Sequence, residues 1–149
     1  ITFFSDALLE DITATNTKTT SLFNPQSGDI AFSVPIREFQ FEKKLMQEHF
    51  NEKYMESDKY PNATFSGKLV GFDPAAQSEQ AVKAKGKLTL HGVTKDVELP
   101  GTVRAGEKIA MKSKFRVKLA DYNIKIPQLV FQNIAEEVEV SVAITYKHQ

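Results

Sequence analysis

Residues 86–100, with the sequence GKLTLHGVTKDVELP, constrain the fold of this chain more than any other segment. On both sides of His91-Gly92, apolar residues alternate with polar ones. This period of two is typical of β-strands that bury one face. A two-residue hairpin turn requires positive φ angles, which glycine adopts without steric cost. The segment therefore predicts a β-hairpin with His91 and Gly92 at its turn, and a structural role for His91.

The same alternation recurs along most of the chain. Further strands are predicted over residues 1–5, 11–16, 19–23, 30–36, 65–69, 109–119 and 138–146. Turn-forming residues at 24–28, 72–76 and 104–107 separate several of these runs. Many strands with few helices favour a closed barrel, because closure removes exposed sheet edges. We expect one domain over residues 1–149.

Residues 41–54 are the exception to this period. Their apolar residues recur every three to four positions, which predicts a short amphipathic helix. These residues are Phe41, Leu45, Met46, Phe50 and Tyr54. A second helical turn is predicted over residues 128–135, after Pro127.

Composition excludes several kinds of function. The formal net charge is +0, from 19 basic and 19 acidic residues. This argues against general binding to nucleic acids or anionic membranes and leaves a local basic patch open. The absence of cysteine excludes disulfides and thiolate metal sites. The histidines at 49, 91 and 148 lack metal-ligand spacing, and no nucleophile elbow or phosphate loop is present.

Five segments together carry a family resemblance. They are FSVPI at 32–36, HFNEKYM at 49–55, KYPNATF at 59–65, GKLTLHGVT at 86–94 and LADYNI at 119–124. In order and spacing the chain resembles the YceI-like family of bacterial lipocalin-like polyisoprenoid-binding proteins. The resemblance implies an all-β fold, a single antiparallel lipocalin-like β-barrel of about eight strands with one short amphipathic helix.

The resemblance also implies a ligand and a location. In this family the tail of a polyprenyl or quinone-like lipid lies inside the barrel. We therefore expect non-catalytic transport or storage of a long apolar lipid, without a cofactor or metal, in the periplasm or outside the cell. The chain begins at Ile1, inside a predicted strand, which suggests that an upstream segment, either a signal peptide or another trimmed stretch, has been removed. Partners other than the lipid are not indicated, although a homodimer is left open.

Candidate ligand-binding residues follow from the chemistry of such a lipid. An isoprenoid tail has no hydrogen-bonding group, so its binding must come from buried apolar area, about 0.8 kcal/mol per CH₂. We expect contacts from inward-facing strand residues, from two aromatic residues of the helix and from one histidine. They are Phe32, Val34, Phe50, Tyr54, Phe65, Leu69, Leu88, Leu90, Met111, Phe115, Val138, Val140 and His49.

Two other functions fit the same sequence. A barrel enzyme acting on a small lipid would use His49 or Asp121 as an acid or base. A barrel with a solid core would serve as a stress-associated or interaction module. A continuous internal cavity favours the lipid-binding protein, whereas a filled core favours the module.

Overall fold

The computed structural model describes residues 1–5, 12–73, 78–105, 108–124 and 137–147, which form one antiparallel sheet of ten strand segments. The segments are β1 (Thr2–Ser5), β2 (Ile12–Asn16), β3 (Thr20–Phe23), β4 (Asp29–Pro35), β5 (Phe39–Phe41), β6 (Asn62–Val70), β7 (Gln80–Leu90), β8 (Val93–Arg104), β9 (Lys108–Lys118) and β10 (Glu137–Lys147). Their spatial order is β3-β4-β6-β7-β8-β9-β10-β1-β2-β5. The predicted all-β antiparallel fold is confirmed.

Two connections bend this sheet into a barrel. β2 and β3 follow each other in the chain, yet β2 pairs with β1 and β5 while β3 pairs with β4 at the other end of the order. β2 with β3, and β4 with β5, therefore act as two bent strands, which leaves eight strands in all. The first bend is fixed by the buried Asn16, whose Nδ2 donates to the Pro35 carbonyl at 2.8 Å.

Side chains complete the barrel between β3 and β10. The hydroxyl groups of Ser21 and Tyr146 are hydrogen-bonded to each other. The rings of Phe23 and Tyr146 lie 5.7 Å apart. Within the described residues no backbone ladder joins these two strands. We call this contact line the seam.

The hairpin of residues 86–100 forms as predicted. β7 and β8 pair from Leu90↔Val93 onward, with His91 at φ 53° and Gly92 at φ 74°. Two positive φ angles give a turn whose twist matches that of the flanking strands.

The helix begins later than the sequence predicts. Helix α1 spans Lys44–His49 and continues as a π-helix over Phe50–Tyr54, so the prediction that the helix includes Phe41 is wrong. Phe41 pairs with Ala14 in the sheet as part of β5. Its position four residues before Leu45 imitates a helical repeat, but Leu45 is 64% exposed.

The barrel interior contains two clusters of buried side chains. The first surrounds the helical segment and includes Ile36, Phe39 and Phe50. The second, here called the packed cluster, consists of Ile30, Phe65, Val82, Val103, Ile109 and Met111. No described helix is long and apolar enough to span a membrane. Some predictions fall on residues that the structure does not describe. These are the helical turn at 128–135, residues 74–76 and 106–107 of two predicted turns, residue 11 of a predicted strand, and His148.

Candidate functional site

An apolar cavity of about 180 Å³ lies within the barrel, next to the first cluster. Strand residues form most of its lining, and the helical segment adds Met46, Phe50 and Tyr54. None of the lining side chains is charged, and only those of Tyr54 and Thr64 carry a hydroxyl group. Thr64 is exposed and alternates with buried neighbours along β6, so its side chain lies on the outer face. Apolar cavities of this size stay dry and accept apolar ligands.

Most of the candidate residues come together here. Ten of the thirteen line the cavity: Phe32, Val34, Phe50, Tyr54, Phe65, Leu88, Leu90, Phe115, Val138 and Val140. Leu69 and Met111 instead pack in or against the packed cluster. His49 is half-buried at the end of α1 and is not among the lining residues. Ligand contact by any of these residues stays a prediction.

Sequence reasoning missed part of the lining. Ile36, Ala63, Leu99, Val117 and Val142 share the alternation of predicted neighbours on their strands, so that pattern could have identified them. The other lining residues outside the thirteen candidates are Ile1, Phe39, Phe41, Met46, Met55, Thr64, Leu119 and Ile124, of which Met46 and Met55 suit either a lipid contact or core filling. Several of these reach the cavity only through the tertiary fold, which a strand pattern does not reveal.

The helical segment holds its aromatic residues against strand β5. The ring of Phe50 lies 4.9 Å from that of Phe41 and 5.7 Å from that of Phe39. The backbone N–H of Phe41 donates to Gln47 Oε1 at 3.1 Å, which ties α1 to the strand. The Met55 N–H donates to the Phe50 carbonyl five residues earlier at 2.9 Å, as expected in a π-helix.

Tyr54 supplies the one hydroxyl on the inner lining. Its side chain is buried, and burial raises its pKa well above the ordinary value. The phenol therefore stays neutral at physiological pH. Together with the absence of charge, this makes the cavity suited to an uncharged ligand.

Two aromatic rings lie where the cavity adjoins the packed cluster. The rings of Phe32 and Phe65 lie 5.9 Å apart at an interplanar angle of 37°, and both line the cavity. Phe65 is only 3% exposed and belongs to the packed cluster. The cavity and the packed cluster therefore share this aromatic pair.

His91 fixes the β7–β8 turn to two other segments. Its Nδ1 donates to the carbonyl of Tyr122 at 3.1 Å, and its Nε2 lies 3.3 Å from Glu56 Oε1. The ring packs edge-on against Tyr60, at 4.6 Å between centroids. The 3-10 turn at Leu119–Tyr122 is held in this way, and Leu119 at its start lines the cavity. His91 thus has the predicted structural position.

Metal or acid–base chemistry finds little support at the site. Among the described residues, no group of three or more His, Asp or Glu side chains is placed to hold a metal ion. Asp121, like His49, is not a lining residue.

Comparison with known proteins decides the family. The sequence matches the model of the YceI-like domain over residues 4–146. The chain belongs to the YceI-like family. No curated protein matches it.

Solved structures share this YceI-like fold at low sequence identity. The chain is similar to BcnA of Burkholderia cenocepacia, with a TM-score of 0.82 and 17% identity over 98% of this chain and 94% of the other. It is similar to a polyisoprenoid binding domain from Saccharophagus degradans implicated in plant cell wall breakdown, with a TM-score of 0.85 and 16% identity over 99% and 92%. The YCEI protein of Campylobacter jejuni gives 0.74 and 17% over 91% and 84%.

Proposed function

We propose that this YceI-like protein binds a long apolar lipid, such as a polyisoprenoid or an isoprenoid quinone, inside its barrel for transport or storage and without catalysis. The observation that carries the proposal is the internal cavity, whose lining side chains are uncharged and include one inward hydroxyl. The cavity also favours a binding protein over a module with a solid core. The Saccharophagus degradans domain, which is a polyisoprenoid binding domain, supports the ligand class at 16% identity.

The size of the cavity indicates how much of a long lipid is enclosed. Its 180 Å³ is close to the roughly 150 Å³ of an apolar protein cavity that holds one benzene molecule. On this proposal the cavity holds the end of an isoprenoid tail, and the remainder of a long tail lies outside the cavity. Each enclosed CH₂ contributes about 0.8 kcal/mol.

Lipid extraction and uptake test the proposal. Organic extraction of the purified protein, followed by mass spectrometry, should yield an apolar lipid. Delipidated and refolded protein should then take up polyprenyl or quinone ligands and release a fluorescent apolar probe. Failure of the delipidated protein to take up any of these ligands would contradict the proposal.

A pair of variants on β10 distinguishes uptake in the cavity from adsorption to the outside. Val140 lines the cavity, whereas Ala143 on the same strand is exposed. Val140→Phe should fill part of the cavity and abolish uptake, at a stability cost of about 1–3 kcal/mol. Ala143→Phe adds a ring outside the barrel and should leave uptake unchanged. Equal uptake by both variants would show that the probe binds elsewhere.

We also propose that the protein acts in the periplasm or outside the cell, on the family resemblance. Fractionation of cells that express the full-length protein, with a cytoplasmic marker as the control, tests this. Recovery of the protein with the cytoplasmic marker would overturn it.

A further inference from the structure

Six basic side chains lie side by side on the outer wall of the barrel. Five belong to β9 and alternate with its inward-facing residues, and one lies at the end of β8; all six are exposed. They are Arg104, Lys108, Lys112, Lys114, Arg116 and Lys118. We call this set the cationic face.

One carboxylate, that of Glu139, is shared by two members of the cationic face. It lies 3.3 Å from Lys114 Nζ and 3.9 Å from Arg116. Lys112 is flanked in register by the uncharged Thr102 and Ala143. The ends of β10, Glu137 and Lys147, oppose the two ends of β9 and add one formal charge of each sign.

The neighbouring part of the wall is different. Lys83 and Lys85 of β7 share Glu98 of β8, at 3.1 and 3.9 Å, and Lys87 lies 3.2 Å from Asp96. The hydrogen bond from Lys83 lowers the pKa of Glu98. Lysines therefore occur on both strands. The three lysines of β7 each lie 3.1–3.9 Å from a carboxylate of β8, whereas Lys112 of β9 faces uncharged residues on both sides. Because the whole chain is formally neutral, the positive excess of β9 is a local segregation of charge.

We propose that the cationic face docks the protein onto an anionic lipid surface. Clustered basic residues are attracted to acidic headgroups, and a bilayer offers many such groups at once. The cationic face also lies close to the cavity, because Phe115 and Val117 line the cavity from the inner side of β9. Docking of the cationic face on a membrane goes beyond the proposed function. Only the choice of a lipid surface over another polyanion rests on that function.

Nucleic acid is the other class of polyanion to consider. Proteins that bind single strands combine basic grooves with aromatic side chains on which bases stack. The described outward side chains of β8, β9 and β10 include no aromatic residue. The face therefore provides charge without a stacking platform, which favours a membrane surface.

Vesicle sedimentation tests the proposal on the whole protein. Vesicles of phosphatidylcholine with added phosphatidylglycerol should bind it, whereas pure phosphatidylcholine vesicles should not. Binding should weaken strongly between about 0.1 M and about 1 M salt, where the screening length falls from about 10 Å to about 3 Å. Salt-independent binding, or equal binding to both kinds of vesicle, would overturn the proposal without any variant.

Two triple variants with the same change in net charge locate the binding. Lys108→Gln, Lys112→Gln and Lys118→Gln together should lower partitioning about 100-fold, since each basic residue near the surface contributes about fivefold. Lys83→Gln, Lys85→Gln and Lys87→Gln together should lower it much less. Equal losses in both variants would mean that net charge alone matters and would overturn the proposal.

Two further measurements distinguish membrane docking from nucleic-acid binding and from lipid uptake in the cavity. Binding of single-stranded DNA that depends on the same three β9 lysines, without vesicle binding, would assign the face to nucleic acid instead. Val140→Phe, which blocks the cavity, should still bind anionic vesicles. Docking and lipid uptake can therefore fail independently.

Discussion

The Nδ1 atom of His91 lies 3.1 Å from the carbonyl oxygen of Tyr122, 31 positions later in the chain. A carbonyl only accepts hydrogen bonds, so Nδ1 carries the proton and donates. Through this bond and the contact with Glu56, the turn of one hairpin organises two segments that are distant in sequence.

Replacing His91 should weaken this junction without breaking the turn. Asparagine tolerates the positive φ that residue 91 adopts, but it is too short to reach both partners. We expect His91→Asn to lower the free energy of unfolding by about 1–3 kcal/mol, measured by urea denaturation. Glu56→Gln keeps a polar partner for Nε2, because an amide can donate or accept a hydrogen bond, and should cost less. A His91→Asn variant as stable as the parent would show that the ring contacts contribute nothing.

Gly92 is constrained by its neighbour as well as by its backbone. A Cβ at this position would lie 2.5 Å from the Tyr60 ring. Gly71 has a similar φ of +88°, but a Cβ there would meet nothing closer than 3.6 Å. Each alanine variant should therefore lose about 1 kcal/mol to left-handed strain, and Gly92→Ala should lose more. Thermal melts should rank Gly92→Ala below Gly71→Ala, and equal melting temperatures would refute the clash.

The depth of the cavity should depend on Phe65. Phe65→Ala removes one ring of the Phe32–Phe65 pair and should open the cavity towards the packed cluster. It should lower the free energy of unfolding by about 3–5 kcal/mol. The ratio of affinities for long and short alkyl probes should rise. Phe115→Ala, which removes a lining ring outside the packed cluster, should leave this ratio unchanged.

Phe65→Leu is a milder form of the same change for the case in which the alanine variant unfolds. It should shift the probe preference in the same direction by a smaller amount. An unchanged ratio in both folded variants would show that Phe65 does not limit the depth.

Stability should decline in alkaline solution because of buried tyrosines. Burial raises the pKa of Tyr54, Tyr122 and Tyr146 in the folded protein. Above about pH 10 the unfolded chain loses these phenolic protons while the folded chain keeps them, so unfolding releases protons and its free energy falls as pH rises. Their contribution is fully present below about pH 10 and is lost as pH passes through the folded values.

Tyr54→Phe isolates one of these groups. Urea midpoints measured from about pH 9 to about pH 11 should fall less steeply for this variant than for the parent. Parallel declines would show that Tyr54 does not contribute to the alkaline loss.

The strands could be predicted because their alternation matches the one-sided burial of the sheet. The turn at 91–92 could be predicted because a two-residue hairpin turn needs positive φ angles, which glycine adopts without steric cost. Phe41 misled the helix prediction because its position satisfies a helical and a strand pattern at once, and only pairing with Ala14 decides between them. The division of the interior between cavity and packed cluster depends on ring packing such as that of Phe32 with Phe65, which no periodicity encodes.

The cationic face could not be predicted from the sequence for a different reason. The sequence reveals alternating lysines on β7 and on β9 alike. Only strand pairing shows that Glu98 stands between Lys83 and Lys85, whereas Thr102 and Ala143 flank Lys112. A neutral total charge therefore gave no indication of the local excess.

At the seam between β3 and β10, side chains hold the barrel wall together. β7 and β8 are joined by a long backbone ladder, whereas at the seam the described contacts are one hydroxyl pair and the packing of Phe23 on Tyr146. Amide groups that point into this gap are protected only by local packing, so they should exchange with deuterium early, ahead of those between β7 and β8. The barrel should therefore open between β3 and this end of β10 before β7 and β8 separate.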